Sequence, residues 1–307
     1  KAPIGTPKTV TMLEDGTYTF AAADFGFSDP GNTPANTLLA VKIVTLPVAG
    51  QLTNNGIAVT AGASVSAADI AAGQLRFAPA ANANGSTYAS FTFKVQDNGG
   101  TANGGVDTDA TARTITVAVT PVNDAPRGMA KTVTMLEDGA FAFAAADFGF
   151  SDANDTPANT LLAVKIATLP LAGQLTNNGV AVTAGASVSA VDIAAGKLRF
   201  TPAANANGAT YATFTFNVQD NGGTANGGID TDVKARRMTV AVTPVNDAPR
   251  GAAKTVTMLE DGTYAFAAAD FGYSDVNDTP ANALLAVKIA TLPAAGQLTN
   301  NGVAVTA

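Results

Sequence analysis

The chain has no cysteine, no histidine and no tryptophan. Without cysteine there is no disulfide, no thiol nucleophile and no thiolate metal site. Without histidine the side chain most used for proton transfer near neutral pH is missing. Charge is also scarce: Asp, Glu, Lys and Arg make up 13% of 307 residues, and the net charge is −7. No Lys/Arg cluster stands out, which argues against nucleic acid or an anionic membrane as partner. No apolar run approaches the ~20 residues of a membrane-spanning helix, and no signal peptide is visible. An enzyme is the least expected reading, because no nucleophile–base arrangement is evident.

What is present repeats. KTVTMLEDG begins at Lys8, Lys131 and Lys254, a constant spacing of 123 residues, and PVNDAPRG occurs at Pro121–Gly128 and Pro244–Gly251. A solenoid unit is about 20–50 residues long, so this period is that of a whole domain. The expected organisation is repeat 1 at 1–123, repeat 2 at 124–246 and the N-terminal half of repeat 3 at 247–307. Each complete copy is long enough to bury a core without staples. The sequence reads as a piece of a longer repetitive protein.

Strand signals dominate each copy. Alternation predicts strands over Lys8–Leu13, Thr17–Ala22, Leu38–Leu46, Gln51–Thr53, Ile57–Thr60, Gln74–Phe77, Tyr88–Val95 and Arg113–Thr120. Asn54-Asn55-Gly56 between two of them is a hairpin signal, since Asn and Gly accept positive φ. Ser66 followed by Asp69 has capping spacing, so one helical turn is expected over Ser66–Gly73. Seven or eight strands with turn chemistry between them predict an all-β fold of tandem antiparallel β-sandwich domains. The methionines Met12, Met135 and Met258 fall on the inner face by this alternation.

Other motifs are weaker. Asp24-Phe25-Gly26 spells a kinase magnesium motif, but no other kinase element accompanies it. Gly99–Asp109 lacks the nine-residue period of a calcium β-roll. Lys42, Lys165 and Lys288 recur in an apolar strand; an amide crosslink is conceivable there, and a lysine reaching solvent is the commoner outcome.

The acidic residues carry the most information. Only three are Glu, namely Glu14, Glu137 and Glu260 at one position of each copy, and the rest are Asp beside Gly and Asn. Let the first and last strands of a sandwich both run downward. Then Glu14-Asp15-Gly16 and the exit Asn123-Asp124 lie at the bottom of repeat 1. The loop Asp152-Ala153-Asn154-Asp155 and the turn after Asp220 lie at the top of repeat 2, with Asp230 and Asp232 in the same loop. Six or more carboxylates gathered there repel one another unless a cation neutralises them. Calcium accepts six to eight oxygens in flexible geometry and suits such a set. The alternative is ordinary Asp/Asn/Gly turn chemistry.

The segment VQDNGGTANGGVDTDATARTITVAVTPVNDAP resembles the end of a cadherin repeat. The full copy, with LEDG, ADFGFSD, AVKIVTLPVAGQLTNNG, SAADIAAGQLRF and PAANANG, resembles the cadherin-like or Ig-like tandem repeats of giant bacterial RTX-type adhesins, which are type I-secreted. The resemblance implies domains joined end to end in a rod, an extracellular place on a bacterial surface, and a role in cell adhesion or biofilm. It makes Glu14 and Glu137, with Asp15 and Asp138 beside them, edge ligands for calcium. It makes Asn123, Asp124, Asn246 and Asp247 linker ligands. Asp152, Asn154, Asp155, Asp275, Asn277 and Asp278 become upper-loop ligands, and Asp220 a second-loop ligand. The Asp-Arg-Glu motif of cadherins is replaced by RFAPAANANG, so one or two ions per junction are expected. Copy one reads Asp29-Pro30-Gly31-Asn32, without the last carboxylate, and Lys1 stands where Asp124 and Asp247 stand. The expected partners are neighbouring repeats of the same chain, with host or matrix ligands left to other domains. Two rival readings are a carbohydrate- or protein-binding module and a self-assembling fibre in which 247–307 is completed by another chain. Few aromatics (no Trp, five Tyr) argue mildly against carbohydrate stacking.

Overall fold

A computed structural model describes all residues, Lys1–Ala307. In repeat 1 the alternating segments become β1 (Lys8–Leu13), β2 (Tyr18–Thr19), β3 (Leu38–Thr45), β4 (Gln51–Asn54), β5 (Ile57–Ala58), β6 (Ser64–Ser66), helix α1 (Ala67–Ala71), β7 (Leu75–Ala78), β8 (Gly85–Asp97) and β9 (Arg113–Thr120). They form one sheet in the order β1-β9-β8-β3-β6 and a second in the order β2-β7-β4-β5. Repeat 2 repeats the plan with β10 (Lys131–Leu136), β11 (Phe141–Ala142), β12 (Leu161–Thr168), β13 (Gln174–Asn177), β14 (Val180–Ala181), β15 (Ser187–Ser189), α2 (Ala190–Ala194), β16 (Leu198–Thr201), β17 (Gly208–Asp220) and β18 (Arg236–Thr243). The fold is all-β and sandwich-like, as the alternation predicts.

Pairing within the sheets is antiparallel with one exception in each complete repeat. β1 and β9 run parallel, Lys8 opposite Ile115 through Leu13 opposite Thr120, and β10 and β18 do the same. Both first and last strands therefore run in one direction, the arrangement assumed in placing the acidic loops. Alternate residues of β8 and β9 point inward. Phe91, Phe93, Val95, Ile115 and Val117 are buried against Phe20, Phe25 and Phe77. Phe25 meets Phe93 edge to face at 4.9 Å, the geometry favoured by the ring quadrupole.

Several boundaries differ from expectation. The second strand shrinks to Tyr18–Thr19 because a 3-10 turn follows at Ala22–Phe25, where the Asp24 carboxylate accepts the Ala21 N–H. β8 is longer than expected, starting at Gly85 through a bulge before Ala89. The short edge strand β6 was not foreseen. The helical turn is as expected: Ser66 Oγ accepts the Asp69 N–H and Gly73 ends it at φ +69°. The Lys42 ammonium donates to Thr108 Oγ1 at 3.0 Å, a polar-face contact and not a crosslink.

By density of contacts the chain divides into two compact units. One comprises Lys1–Gly128, Phe150–Ala163 and Val218–Lys234; the other Met129–Gly149, Val164–Asn217 and Ala235–Ala307. The upper loops of repeat 2 thus belong with repeat 1. Within residues 247–307 only the hairpin β19 (Thr299–Asn300) and β20 (Val303–Ala304) forms strands. Met258 is 51% exposed there, against 8% for Met12, because no counterpart of β8 and β9 lies in 247–307 to cover it.

Gly50 shows how tightly the turn after β3 is packed. Its φ is +72°, and a Cβ would stand 2.4 Å from Phe77 Cζ and 2.7 Å from the Ala78 carbonyl. Gly56 has φ +75° but open space around it. Gly50→Ala is expected to cost about 3 kcal/mol and Gly56→Ala about 1 kcal/mol in urea unfolding of repeat 1, since only the first adds a clash to the backbone penalty. Equal costs would show that the packing at Phe77 yields.

Candidate metal centre

The first acidic cluster lies wholly within the first unit. Its base is the turn after β1. Glu14 is 4% exposed; Oε1 accepts the Val122 N–H at 2.6 Å and Oε2 accepts the Asn84 amide at 3.1 Å. Asp15, at φ +57°, accepts the Asn82 N–H. These bonds fix the exit of β9 and so aim the linker. Asn123 then donates to both oxygens of Asp220, at 3.1 and 3.4 Å, and to the Ile229 carbonyl at 2.8 Å, and its own oxygen accepts the Asn159 amide. The Asp124 N–H donates to both oxygens of Asp155, at 3.3 and 3.1 Å. Asp152 Oδ2 accepts the Asn159 N–H at 2.5 Å. Asp220 is fully buried and also accepts the Gly222 N–H.

Seven buried side-chain polar atoms lack a hydrogen-bond partner, and five of them are carboxylate oxygens of these loops and linkers: Asp97 Oδ2, Asp124 Oδ2, Asp152 Oδ1, Asp247 Oδ2 and Asp275 Oδ1. A buried carboxylate oxygen without a donor is costly, so their concentration here has physical meaning. The charges are felt. Burial, then the charges of Asp15, Glu14 and Asp152, push the Asp124 carboxyl above its ordinary value. Burial, a hydrogen bond shared with Asp152, and the charges of Asp152 and Asp124 push Asp155 up to about 6, against the opposing Asp124 N–H. Asp220 is raised by burial and by Asp152 and Asp230, although Gly222 and Asn123 donate to it.

The second cluster, wholly within the second unit, repeats these bonds apart from those of Asn123 to Asp220 and Ile229; Asn246 donates to the Asp247 carbonyl at 3.0 Å. Glu137 accepts the Val245 N–H at 2.6 Å and the Asn207 amide at 3.1 Å, and Asp138 accepts the Asn205 N–H. The Asp247 N–H donates to Asp278 at 3.1 and 3.2 Å, Asp275 accepts the Asn282 N–H at 2.7 Å, and Asn282 donates to Asn246 Oδ1 at 2.6 Å. At Asp278 the Asp247 N–H favours the charged form, but burial, a hydrogen bond shared with Asp275, and the Asp275 and Asp247 charges outweigh it and raise the carboxyl.

Sequence placement and structure agree in part. Asp124, Asp152, Asp155 and Asp220 are brought together, with Glu14 and Asp15 close enough to perturb Asp124. Asn154 is exposed and Asn277 half-exposed in their loops, neither held to the cluster by a hydrogen bond. The carboxylates are neighbours and not a closed cage: no three acidic side chains are placed so as to hold a metal ion as they stand. Asn159 and Asn282, which tie loop to linker, were missed; their recurrence with Asn36 in PAN was the available signal.

A family described as the bacterial Ig domain matches residues 123–232. Among solved structures, mouse cadherin-23 repeats EC22-24 are similar at 13% identity over 81% of this chain and 69% of that one, with a TM-score of 0.43. Human mucin-like protocadherin EC1-2 matches at 13% identity over 79% of this chain and 98% of that one (TM-score 0.37). Mouse protocadherin-24 EC1-3 matches at 11% identity over 78% and 70% (TM-score 0.42). No curated protein matches the chain. No helix is long and apolar enough to cross a membrane.

Proposed function

We propose that the chain is a non-catalytic extender segment of an extracellular bacterial adhesin, in which calcium bound at the repeat junctions stiffens the linkers. The observation that carries this reading is the pair of buried, partnerless oxygens Asp152 Oδ1 and Asp124 Oδ2, repeated at Asp275 Oδ1 and Asp247 Oδ2. The donor set consists of oxygens alone, which suits a hard cation that tolerates irregular geometry. At the first cluster Asp124, Asp152, Asp155 and Asp220 would hold the ion, with Glu14 and Asp15 below; at the second Asp247, Asp275 and Asp278 would, with Glu137 and Asp138. The ion would supply the positive charge that the raised carboxyls ask for. Stiffening follows because linker residues Asp124 and Asp247 would then be tied to the loops of the next repeat through ion and backbone together. Near-identical copies fit such a role, since a spacer needs length and not varied chemistry.

Small-angle X-ray scattering with calcium and then with excess chelator tests the reading. A long, well-defined maximum dimension in calcium and a flexible profile in chelator are expected. Identical profiles would sink the extender reading and favour a binding module. Growth of the particle with concentration would instead favour a fibre joined through 247–307, where Leu259 and Leu285 are largely exposed.

A further inference from the structure

The upper loop of repeat 1 differs from those of repeats 2 and 3 at charged positions. Asn32 stands where Asp155 and Asp278 stand, and Lys1 where Asp124 and Asp247 stand. The scaffold is otherwise preserved. The Asn36 N–H donates to Asp29 Oδ2 at 2.8 Å, as the Asn159 N–H does to Asp152 Oδ2.

What changes is the centre. Asn32 Nδ2 lies 2.9 Å from Asp29 Oδ1, 2.9 Å from Asp29 Oδ2 and 3.3 Å from the Lys1 carbonyl. Three oxygens surround one nitrogen. Asp29 is 6% exposed, yet both its oxygens have a donor, whereas Oδ1 of Asp152 and of Asp275 has none. The four equivalent side chains carry one net negative charge in repeat 1 (Lys1, Asp29, Asn32, Asp97) and four in repeat 2 (Asp124, Asp152, Asp155, Asp220). The one partnerless carboxylate oxygen left in repeat 1 is Asp97 Oδ2, whose counterpart in repeat 2 is served by Asn123.

We propose that the residue at position 32 and its equivalents decides whether a repeat end takes a divalent cation, and that in repeat 1 the Asn32 amide nitrogen occupies the ion's place, closing that end without metal. The inference rests on the calcium reading of the other two ends. It divides the upper loops of this chain into two chemical kinds, one that takes the cation and one that does not, with Asp or Asn at this position as the deciding residue. A hydrogen-bonded amide replaces the ion here because it supplies donors to Asp29 while removing a negative charge, which a neutral apolar residue would do only in part.

The test places the repeat 1 arrangement in repeat 2. Asp155→Asn and Asp155→Ala are made in the full chain, and each is studied by calcium titration calorimetry and by thermal unfolding in chelator. Both are expected to weaken calcium at the first cluster, by roughly a hundredfold given the loss of a charged ligand. In chelator Asp155→Asn is expected to raise the unfolding midpoint by about 4 °C over the parent chain, and Asp155→Ala by clearly less, because only the amide can bridge Asp152. The reciprocal Asn32→Asp is expected to lower the midpoint of repeat 1 in chelator by a similar amount. Undiminished calcium affinity in Asp155→Asn overturns the proposal, as does an equal gain for Asn and Ala. If the parent chain takes up no calcium, the calcium reading falls, and with it the ion-selecting role of position 32. The Asn–Ala comparison in chelator still decides separately whether the amide bridge exists.

Discussion

Asp152→Asn is expected to remove most of calcium's effect on the chain at the first cluster. Its affinity there should fall by about a hundredfold or more, equivalent to about 2.8 kcal/mol at 1.4 kcal/mol per factor of ten. Asp152 is chosen because one of its oxygens already has work. Oδ2 accepts the Asn159 N–H, and an asparagine oxygen can continue to do so. Oδ1 is the buried atom without a donor, so the substitution removes the charge at that point and leaves the loop anchored. In chelator the same variant should be no less stable than the parent chain, because the repulsion between Asp152 and Asp155 is relieved. A purely structural aspartate would behave oppositely, destabilising the chain equally with and without calcium. Calorimetric titration and unfolding in both conditions separate the two, and unchanged affinity would remove Asp152 from the ligand set.

Asp109→Ala is expected to cost about 3 kcal/mol, lowering the midpoint of repeat 1 by roughly 12 °C. Asp109 is 3% exposed and accepts three donors: the Gly5 N–H at 2.9 Å, the Thr111 N–H at 2.9 Å and Arg113 Nε at 3.0 Å. It pins the chain entering the repeat to the loop before β9. Removing it leaves a buried backbone donor and a half-buried guanidinium without their acceptor. Burial alone would raise this carboxyl, but the hydrogen bond from Arg113, those from Gly5 and Thr111, and the Arg113 charge together lower it. A depressed carboxyl contributes stability that is fully present above its unfolded value of about 3.9 and is lost as the pH falls through the folded value. The gap between parent and variant should therefore be constant from pH 5 to 8 and narrow below about pH 4. A gap that widens in acid would mean that the ion pair is not the source.

Much of this was legible in the sequence, for identifiable reasons. The 123-residue period and the alternation in Lys8–Leu13 and Arg113–Thr120 are local signals, and those strands appear with the expected limits. Ser66 and Asp69 announce the short helix because the cap is made by residues three apart. The parallel pairing of β1 with β9 is not local, as it joins residues more than a hundred positions apart, and it could only be assumed. The same holds for the site. That carboxylates gather at one end followed from strand direction. That Glu14 spends both oxygens on Val122 and Asn84, and so acts first as a bracket for the linker, depends on side-chain geometry that spacing does not carry. The bridging asparagines were overlooked because an Asn beside Pro and Thr reads as turn chemistry until its partner is seen.

The parallel pair has one further consequence. The polypeptide enters repeat 1 at the Lys8 end of β1 and leaves at the Thr120 end of β9, and these are opposite ends of the paired segment. Traction applied to the two ends of the repeat pulls the strands past each other along their length. The hydrogen bonds from Lys8–Ile115 to Leu13–Thr120 are then loaded together and cannot be opened one at a time, as they would be in a hairpin peeled from its tip. Rupture requires the whole ladder, with Val10 and Met12 behind it in the core, to give way at once. Each of the two complete repeats thereby resists traction along the chain by shear of this ladder, and its lifetime under such load is set by the unfolding rate and not by its equilibrium stability.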